Sequence, residues 1–249
     1  MEHAPLLFSA GLLAGAMNAA AGGGSFVTLP ALLGAGLSPV TANASSTVAL
    51  FPGSLTSAWA FRRDFAPLAR VGLGRLAAVS VAGGIAGALL LLATPQEAFL
   101  AAVPWLMLAG SLAFAFGRGL GEALGRGFRI GVGAVLCCQF GLGVYGGYFG
   151  GAVGLMMMAV WSLLGASDIK AMNAAKALLV GAANSVAVAC FVGAGVVSWP
   201  QTLVMLGAAA LGGYAGARVA RALPARVVRQ GIAACNFVMT GLVFWRAFG

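Results

Sequence analysis

Charged side chains are too scarce in this sequence to cover the surface of a water-soluble fold. The 249 residues include only 14 Lys or Arg and 5 Asp or Glu, which together make up 8 % of the chain, whereas 61 % are hydrophobic. Ordinary soluble domains are about one quarter charged and about half apolar. The composition therefore excludes a soluble enzyme, a nucleic-acid-binding domain and a disordered chain, and it predicts a polytopic membrane protein.

Ten apolar segments follow one another along the chain. They cover residues 4–21, 25–37, 41–61, 68–93, 97–117, 128–149, 152–164, 168–193, 199–220 and 224–248. Six of them are long enough to cross a hydrocarbon core of about 30 Å. The other four form two pairs, split by Gly22, Gly23 and Gly24 in the first and by a glycine-rich stretch, 141–154, in the second. The second member of each pair would be only about 20 Å long as a helix, so each pair is predicted to be a broken or re-entrant hairpin.

The net charge of +9 is concentrated in short gaps between apolar segments, and no Lys-rich run is present. Cytoplasmic loops of membrane proteins are enriched in Lys and Arg, so the basic gaps are predicted to be cytoplasmic and the gaps without basic residues to lie outside. The basic gaps are 62–75, 118–129 and 218–229, and the others are 34–40, 94–97 and 194–199. This placement puts both termini outside the membrane.

The two halves of the chain are predicted to be inverted repeats, each a hairpin followed by three spanning helices. Residues 83–88 match 212–217 at an offset of 129, and Asn43-Ala44 matches Asn173-Ala174 at an offset of 130. The expected fold is an all-α polytopic membrane protein with a first repeat at 1–117, a cytoplasmic linker at 118–127 and a second repeat at 128–249. Glycine-broken helices at equivalent places in two inverted repeats are typical of secondary transporters, whose site lies near the midplane.

Four short motifs carry a family resemblance. The first half has Ala-Gly-Gly-Gly-Ser-Phe-Val-Thr-Leu-Pro at 21–30 and Asn-Ala-Ser-Ser at 43–46; the second half has Gly-Gly-Tyr-Phe-Gly-Gly-Ala-Val-Gly at 146–154 and Asn-Ala-Ala-Lys at 173–176. In their order and spacing the chain resembles the TauE/SafE family of sulfite and organosulfonate exporters. The resemblance implies a two-repeat carrier in the bacterial inner membrane that exports a small sulfur-containing anion. It does not distinguish sulfite from sulfonates or thiosulfate.

Lys176 is the most informative single residue, because it lies about 12 Å inside a predicted spanning helix. A charge at that depth costs at least about 2.5–3.5 kcal/mol unless it faces a cavity or a partner. The acidic residues of the chain all lie at segment ends or in loops: Glu2, Asp64, Glu97, Glu122 and Asp168. An ammonium group without a carboxylate partner is a natural docking point for an anion. The alternative is a lysine that extends its ammonium group to the cytoplasmic interface.

The predicted anion site lies between the two breaks. Helix starts after the glycines offer free N–H groups, and nearby amides and hydroxyls can donate hydrogen bonds to an anion. The candidate residues are Asn18, Gly22, Gly23, Gly24, Ser25, Asn43, Ser45, Ser46, Tyr145, Tyr148, Gly150, Gly151, Asn173 and Lys176. Two alternatives stay open: the glycines can serve helix packing, and the polar groups can satisfy backbone freed by the breaks. For the Gly83/Gly87 and Gly212/Gly216 pairs, packing is the favoured interpretation.

No membrane-embedded carboxylate and no nucleotide-binding loop is found in the sequence, so neither a carboxylate proton relay nor ATP is expected to drive transport. We expect no cofactor, no metal and no enzymatic activity. The expected partners are a small anionic substrate and the lipid bilayer; the oligomeric state is left open. Two other functions remain compatible with the sequence, a passive channel for a small anion and a carrier of a non-sulfur organic anion.

Overall fold

The computed structural model describes residues 3–20, 22–68, 71–127, 131–163, 166, 168–222 and 224–248, and these form ten α-helices. In chain order they are α1 (Ala4–Ala20), α2 (Ser25–Gly34), α3 (Pro39–Ala60), α4 (Leu73–Ala93), α5 (Gln96–Gly127), α6 (Val132–Tyr148), α7 (Val153–Leu163), α8 (Ile169–Gly193), α9 (Trp199–Ala222) and α10 (Ala225–Phe248). A short 3₁₀ turn, Arg62–Asp64, follows α3. The predicted all-helical polytopic architecture is confirmed.

Four of the six predicted spanning helices are both long enough and apolar enough to cross a membrane. They are Leu73–Ala93, Gln96–Gly117, Lys170–Gly193 and Arg226–Phe248. Helices α3 and α9 are as long, but they carry more polar residues. In α3 these include the buried Asn43, Ser45 and Ser46. Because those side chains face the protein interior, they lower the mean hydropathy of α3 without placing polar groups against lipid.

Two observed helix boundaries differ from the bounds of the predicted segments. The ten residues predicted as a linker, 118–127, are helical and continue α5 to Gly127. They contain no proline, so nothing in them forces a helix to stop where its membrane-spanning part ends. Helix α4 begins at Leu73 instead of residue 68, and before it the backbones of Leu68 and Val71 hydrogen-bond to each other. Arg70 and Arg129, two of the basic loop residues, lie outside the described residues. The division of the chain into two repeats stays a prediction.

Close glycine contacts join each half of the chain to the other. Helix α1 packs against α9, and α6 packs against α4. A Cβ on Gly212 would overlap the carbonyl oxygen of Leu12, and a Cβ on Gly87 would overlap that of Val144. Only glycine permits backbones to approach so closely. The packing interpretation of these glycine pairs is therefore confirmed.

Two side-chain hydrogen bonds connect residues that are separated by the repeat offset. Asn184 Nδ2 on α8 donates to Ser54 Oγ on α3 at 3.3 Å, a separation of 130 residues. The hydroxyls of Ser111 on α5 and Thr240 on α10 are 3.0 Å apart and are separated by 129 residues. A contact between equivalent positions is what a twofold axis between two halves produces. The opposite orientation of the halves across a membrane stays a prediction.

Candidate functional site

The first break separates α1 from α2 and is built by glycine. Gly22 and Gly23 have φ angles of +88° and +100°, a region that side-chain-bearing residues rarely adopt. Asn18 Oδ1 accepts a hydrogen bond of 3.0 Å from the N–H of Gly24, so its amide caps the new helix from the preceding one. Ser25 is the first residue of α2 and is half-buried. The first predicted group of site residues therefore does surround a helix start.

The second break separates α6 from α7. Gly150 has a φ of +86°, and Ala152, which is not a glycine, has a φ of +57°. A non-glycine residue in this region is strained by an energy on the order of 1 kcal/mol, so the surrounding structure must hold it there. The N–H groups of Gly151, Ala152, Val153 and Gly154 have no hydrogen-bond acceptor within the part of the chain that the structure describes. Within the described residues, four adjacent backbone N–H donors at the start of α7 are therefore unbonded.

The two breaks meet at the ring of Phe26, in the first turn of α2. Its centroid lies 6.1 Å from that of Phe149 in an edge-to-face arrangement. A Cβ built on Gly151 would lie 2.9 Å from Phe26 Cε2, and one on Gly110 of α5 would lie 2.6 Å from Phe26 Cζ. The glycines at 110 and 151 thus leave room for the ring. The structure brings the two breaks together as the sequence predicts.

Lys176 extends along the start of α7. A Cβ on Gly154 would lie 2.7 Å from Lys176 Cγ and 2.9 Å from Cδ, so the glycine makes the space for the lysine stem. The ammonium Nζ donates to Asn173 Oδ1 at 3.1 Å. Within the described residues no carboxylate pairs with it, and the side chain is neither fully exposed nor fully buried. The lysine stem and the four unbonded N–H groups therefore lie at the same helix end.

Three of the predicted polar residues are already bonded within the fold. Asn43 Nδ2 donates to the carbonyl oxygen of Tyr148, the last residue of α6, at 2.9 Å, while Asn43 Oδ1 is buried without a partner. Ser46 shares a hydrogen bond with Thr28, and Ser45 Oγ accepts from the N–H of Ser198 at 3.0 Å. Asn43 thus satisfies backbone freed by the second break, which is the alternative left open above, and Ser45 bonds away from the breaks.

Both predicted tyrosines lie at the second break, and each packs against the ring of a phenylalanine. Tyr145 OH donates to the carbonyl oxygen of Leu106 at 3.0 Å, and its ring lies 5.8 Å from that of Phe149. The Tyr148 ring packs edge-on against Phe99 at 5.4 Å. The Tyr145 hydroxyl is therefore bonded to α5, and its ring packs within the second break.

Sequence reasoning missed Asn236, in the middle of α10. Its side chain is 0 % exposed, and neither Nδ2 nor Oδ1 has a hydrogen-bond partner. A Cβ on Gly23 would lie 3.4 Å from Asn236 Nδ2, so the amide faces the first break. The available signal was an asparagine near the centre of an otherwise apolar segment, a position where polar residues are expensive.

Two cavities lie away from the breaks. One of about 690 Å³ runs between α1, α2 and α10 past Arg246, and one of about 370 Å³ lies beside His3 and Gln201. None of the predicted site residues lines either of them. The breaks themselves are packed against each other through Phe26 and Phe149.

Comparison with known proteins shows which family and which relatives this chain resembles. The family model described as "Sulfite exporter TauE/SafE" matches residues 7–243. The probable membrane transporter protein YfcA of Escherichia coli strain K12 is 30 % identical over 246 residues, covering 98 % of this chain and 90 % of the relative. A probable membrane transporter protein of Haemophilus influenzae is 31 % identical over 238 residues, covering 94 % and 92 %. A further relative, the probable membrane transporter protein ORF9 of a Sinorhizobium species, is 31 % identical over 229 residues. No solved structure matches the chain significantly.

Proposed function

This chain belongs to the sulfite exporter TauE/SafE family of membrane transporters, and from that premise we propose that it exports a small sulfur-containing anion, sulfite or an organosulfonate. The proposed location is the bacterial inner membrane, with both termini outside. The proposed site for the anion lies between the two breaks at the bilayer midplane.

The observation that carries this proposal is the meeting of Lys176 with the start of α7. The ammonium group has an amide oxygen as its only described partner, and the four backbone N–H groups at the start of α7, along which the lysine stem lies, have none. A helix N-terminus carries about half a positive charge, so both features attract the same kind of ligand. In a medium of low dielectric constant this attraction is much stronger than in water. An anion bound there would neutralise the lysine and satisfy the donors together.

Alternating access supplies the proposed mechanism. The edge-to-face contact of Phe26 with Phe149 closes the space between the breaks, and each ring belongs to a different half of the chain. Movement of one half against the other separates the rings and opens the anion site to one side at a time. The inside-negative membrane potential favours the exit of an anion by about 2.3 kcal/mol per charge per 100 mV, in the direction expected of an exporter.

Counterflow in proteoliposomes tests the proposal. Vesicles are loaded with unlabelled sulfite, sulfoacetate, taurine or thiosulfate, and uptake of the labelled compound is followed for the wild type, Lys176→Gln and Lys170→Gln. Lys170 lies on the same helix but is exposed at its first turn, so it is the matched control. We expect saturable counterflow that Lys176→Gln reduces at least about tenfold, because a hydrogen bond to a charged group is worth about 1.5–3 kcal/mol. Lys170→Gln should transport as the wild type does.

Each other outcome has a defined meaning. Equal transport by both lysine variants would remove the anion from Lys176 and leave the glycine breaks as the remaining site. Flux without saturation or counterflow would indicate a passive channel. Absence of flux with all four sulfur compounds would exclude this substrate class, and carboxylates would then be the next compounds to measure.

A further inference from the structure

Asn236 is the one residue at the breaks whose side-chain amide is buried with every polar atom unpartnered in the described part of the chain. Burying an amide without hydrogen bonds is unfavourable, and most such groups in proteins have a partner. The same helix shows how its other polar groups are satisfied. Thr240, one turn further along α10, donates to the carbonyl oxygen of Asn236 and shares a hydrogen bond with Ser111. The buried Asn236 amide therefore lacks the hydrogen bonds that Thr240 makes on the same helix.

The position of Asn236 connects it to the proposed anion site. A Cβ on Gly23 would lie 3.4 Å from Asn236 Nδ2 and 3.8 Å from Phe26 Cδ2. The neighbouring ring atom, Phe26 Cε2, would lie 2.9 Å from a Cβ on Gly151. One edge of a single aromatic ring therefore separates the first break, with Asn236 beside it, from the second break.

We propose that Asn236 is a substrate-binding residue, whose amide donates a hydrogen bond to an oxygen of the transported anion when the Phe26 ring moves aside. This inference rests on the function proposed above. The first break then supplies a neutral amide, and the second break supplies the charge of Lys176. Such a pair binds an oxyanion from two sides while burying only one protein charge, which keeps the desolvation cost low.

The backbone geometry supports the same role. Gly23, with its φ of +100°, places no side chain between the amide and the break. The amide is on α10, which packs against α2 and α5, so it is positioned by a regular helix and not by the broken segments. A binding group held by a rigid element keeps its position while the breaks change conformation.

The test is a comparison of Asn236→Leu with Thr240→Val in the counterflow assay, with thermal unfolding of each variant in detergent. Leucine has the same number and branching of side-chain heavy atoms as asparagine, although its methyl groups are larger, and it needs no hydrogen bonds, so Asn236→Leu should unfold close to the wild-type temperature. Its KM for the sulfur anion should rise at least about tenfold, because a hydrogen bond to a charged ligand is lost. Thr240→Val removes a polar group one turn away and should leave KM within about twofold. Asn236→Asp, which places a carboxylate against the anion, should raise KM further.

The outcomes separate this inference from the function on which it rests. An unchanged KM in Asn236→Leu and Asn236→Asp, with saturable wild-type counterflow, would overturn the role of Asn236 and leave the transporter proposal standing. A lower unfolding temperature with unchanged KM would show that the amide is structural, and that result too would overturn the inference. Wild-type vesicles without saturable counterflow for any sulfur anion would overturn both. If Asn236→Leu does not fold, the KM values of Asn236→Asp and Asn236→Gln decide whether Asn236 binds the anion.

Discussion

The contact between α1 and α9 gives a prediction whose size can be worked from the structure. A Cβ on Gly212 would overlap the Leu12 carbonyl oxygen and would lie 2.6 Å from the Leu12 carbonyl carbon. Ordinary van der Waals contact between carbon atoms is about 3.5–4.0 Å, so Gly212→Ala must move two helix backbones apart by up to about 1 Å. Backbone atoms cannot rotate away as a flexible side chain can. We expect overpacking to cost about 1–3 kcal/mol, offset by about 1 kcal/mol of improved helix propensity.

The matched control is Gly207→Ala in the same helix. Gly207 is exposed, and a Cβ there would meet no atom within 4 Å. It should gain the helix propensity alone, so the two variants should differ by the overpacking cost of about 1–3 kcal/mol. For a chain of this length 1 kcal/mol corresponds to about 2–4 °C in Tm, which predicts a gap of about 2–12 °C between the two unfolding temperatures in detergent. If Gly212→Ala unfolds at or above the temperature of Gly207→Ala, then α1 and α9 do not pack through this glycine, and the reasoning fails.

Two further predictions concern a buried polar network and the driving force. Gln139 accepts from Trp161 Nε1 at 3.0 Å and donates to Ser80 Oγ at 2.8 Å. Ser80 Oγ keeps its hydrogen bond to the Leu76 carbonyl oxygen, so Gln139→Leu should leave one buried donor, Trp161 Nε1, unsatisfied. We expect this to cost about 1–3 kcal/mol, measured by thermal unfolding, whereas Ser80→Ala should cost less. The second prediction is that the rate of anion efflux from proteoliposomes rises when a potassium diffusion potential makes the lumen negative and falls when it makes the lumen positive, since each moved charge gains about 2.3 kcal/mol per 100 mV. Rates independent of the potential would mean that transport is electroneutral.

The two breaks could be predicted because their cause is local. Three successive glycines have low helix propensity and permit positive φ angles, so Gly22, Gly23 and Gly24 are visible as an interruption in any apolar segment. The same argument located the second break only within a glycine-rich stretch. There the turn depends on Gly150 and on Ala152, whose φ of +57° no propensity would suggest. The helical linker was missed for the opposite reason, because glycines at 119 and 121 suggest a loop and yet α5 continues through them.

Asn236 and Phe26 could not be identified as site residues, because what distinguishes them is tertiary. An asparagine in an apolar helix is usually bonded to a neighbouring helix. Only the packing of α10 against α2 shows that this one faces Gly23 with no partner in the described residues. Phe26 likewise looks like any apolar residue of a short helix until the fold places Phe149 against it. Lys176 could be proposed as a candidate, because a charged residue inside an apolar segment is conspicuous in the sequence itself.

The unequal chemistry of Ser46 and Lys176 has a consequence for the transport cycle. The predicted repeats pair the two residues at the offset of 130, but Ser46 bonds to Thr28 while Lys176 lies along Gly154. If the two halves exchange conformations during transport, a fully symmetric carrier would have two end states of equal energy. In the proposed alternating-access cycle the cation belongs to one half alone, so the end states would differ in electrostatic energy and the empty carrier would rest preferentially facing one side. The concentrations of anion that half-saturate transport from the two faces of the membrane should therefore be unequal.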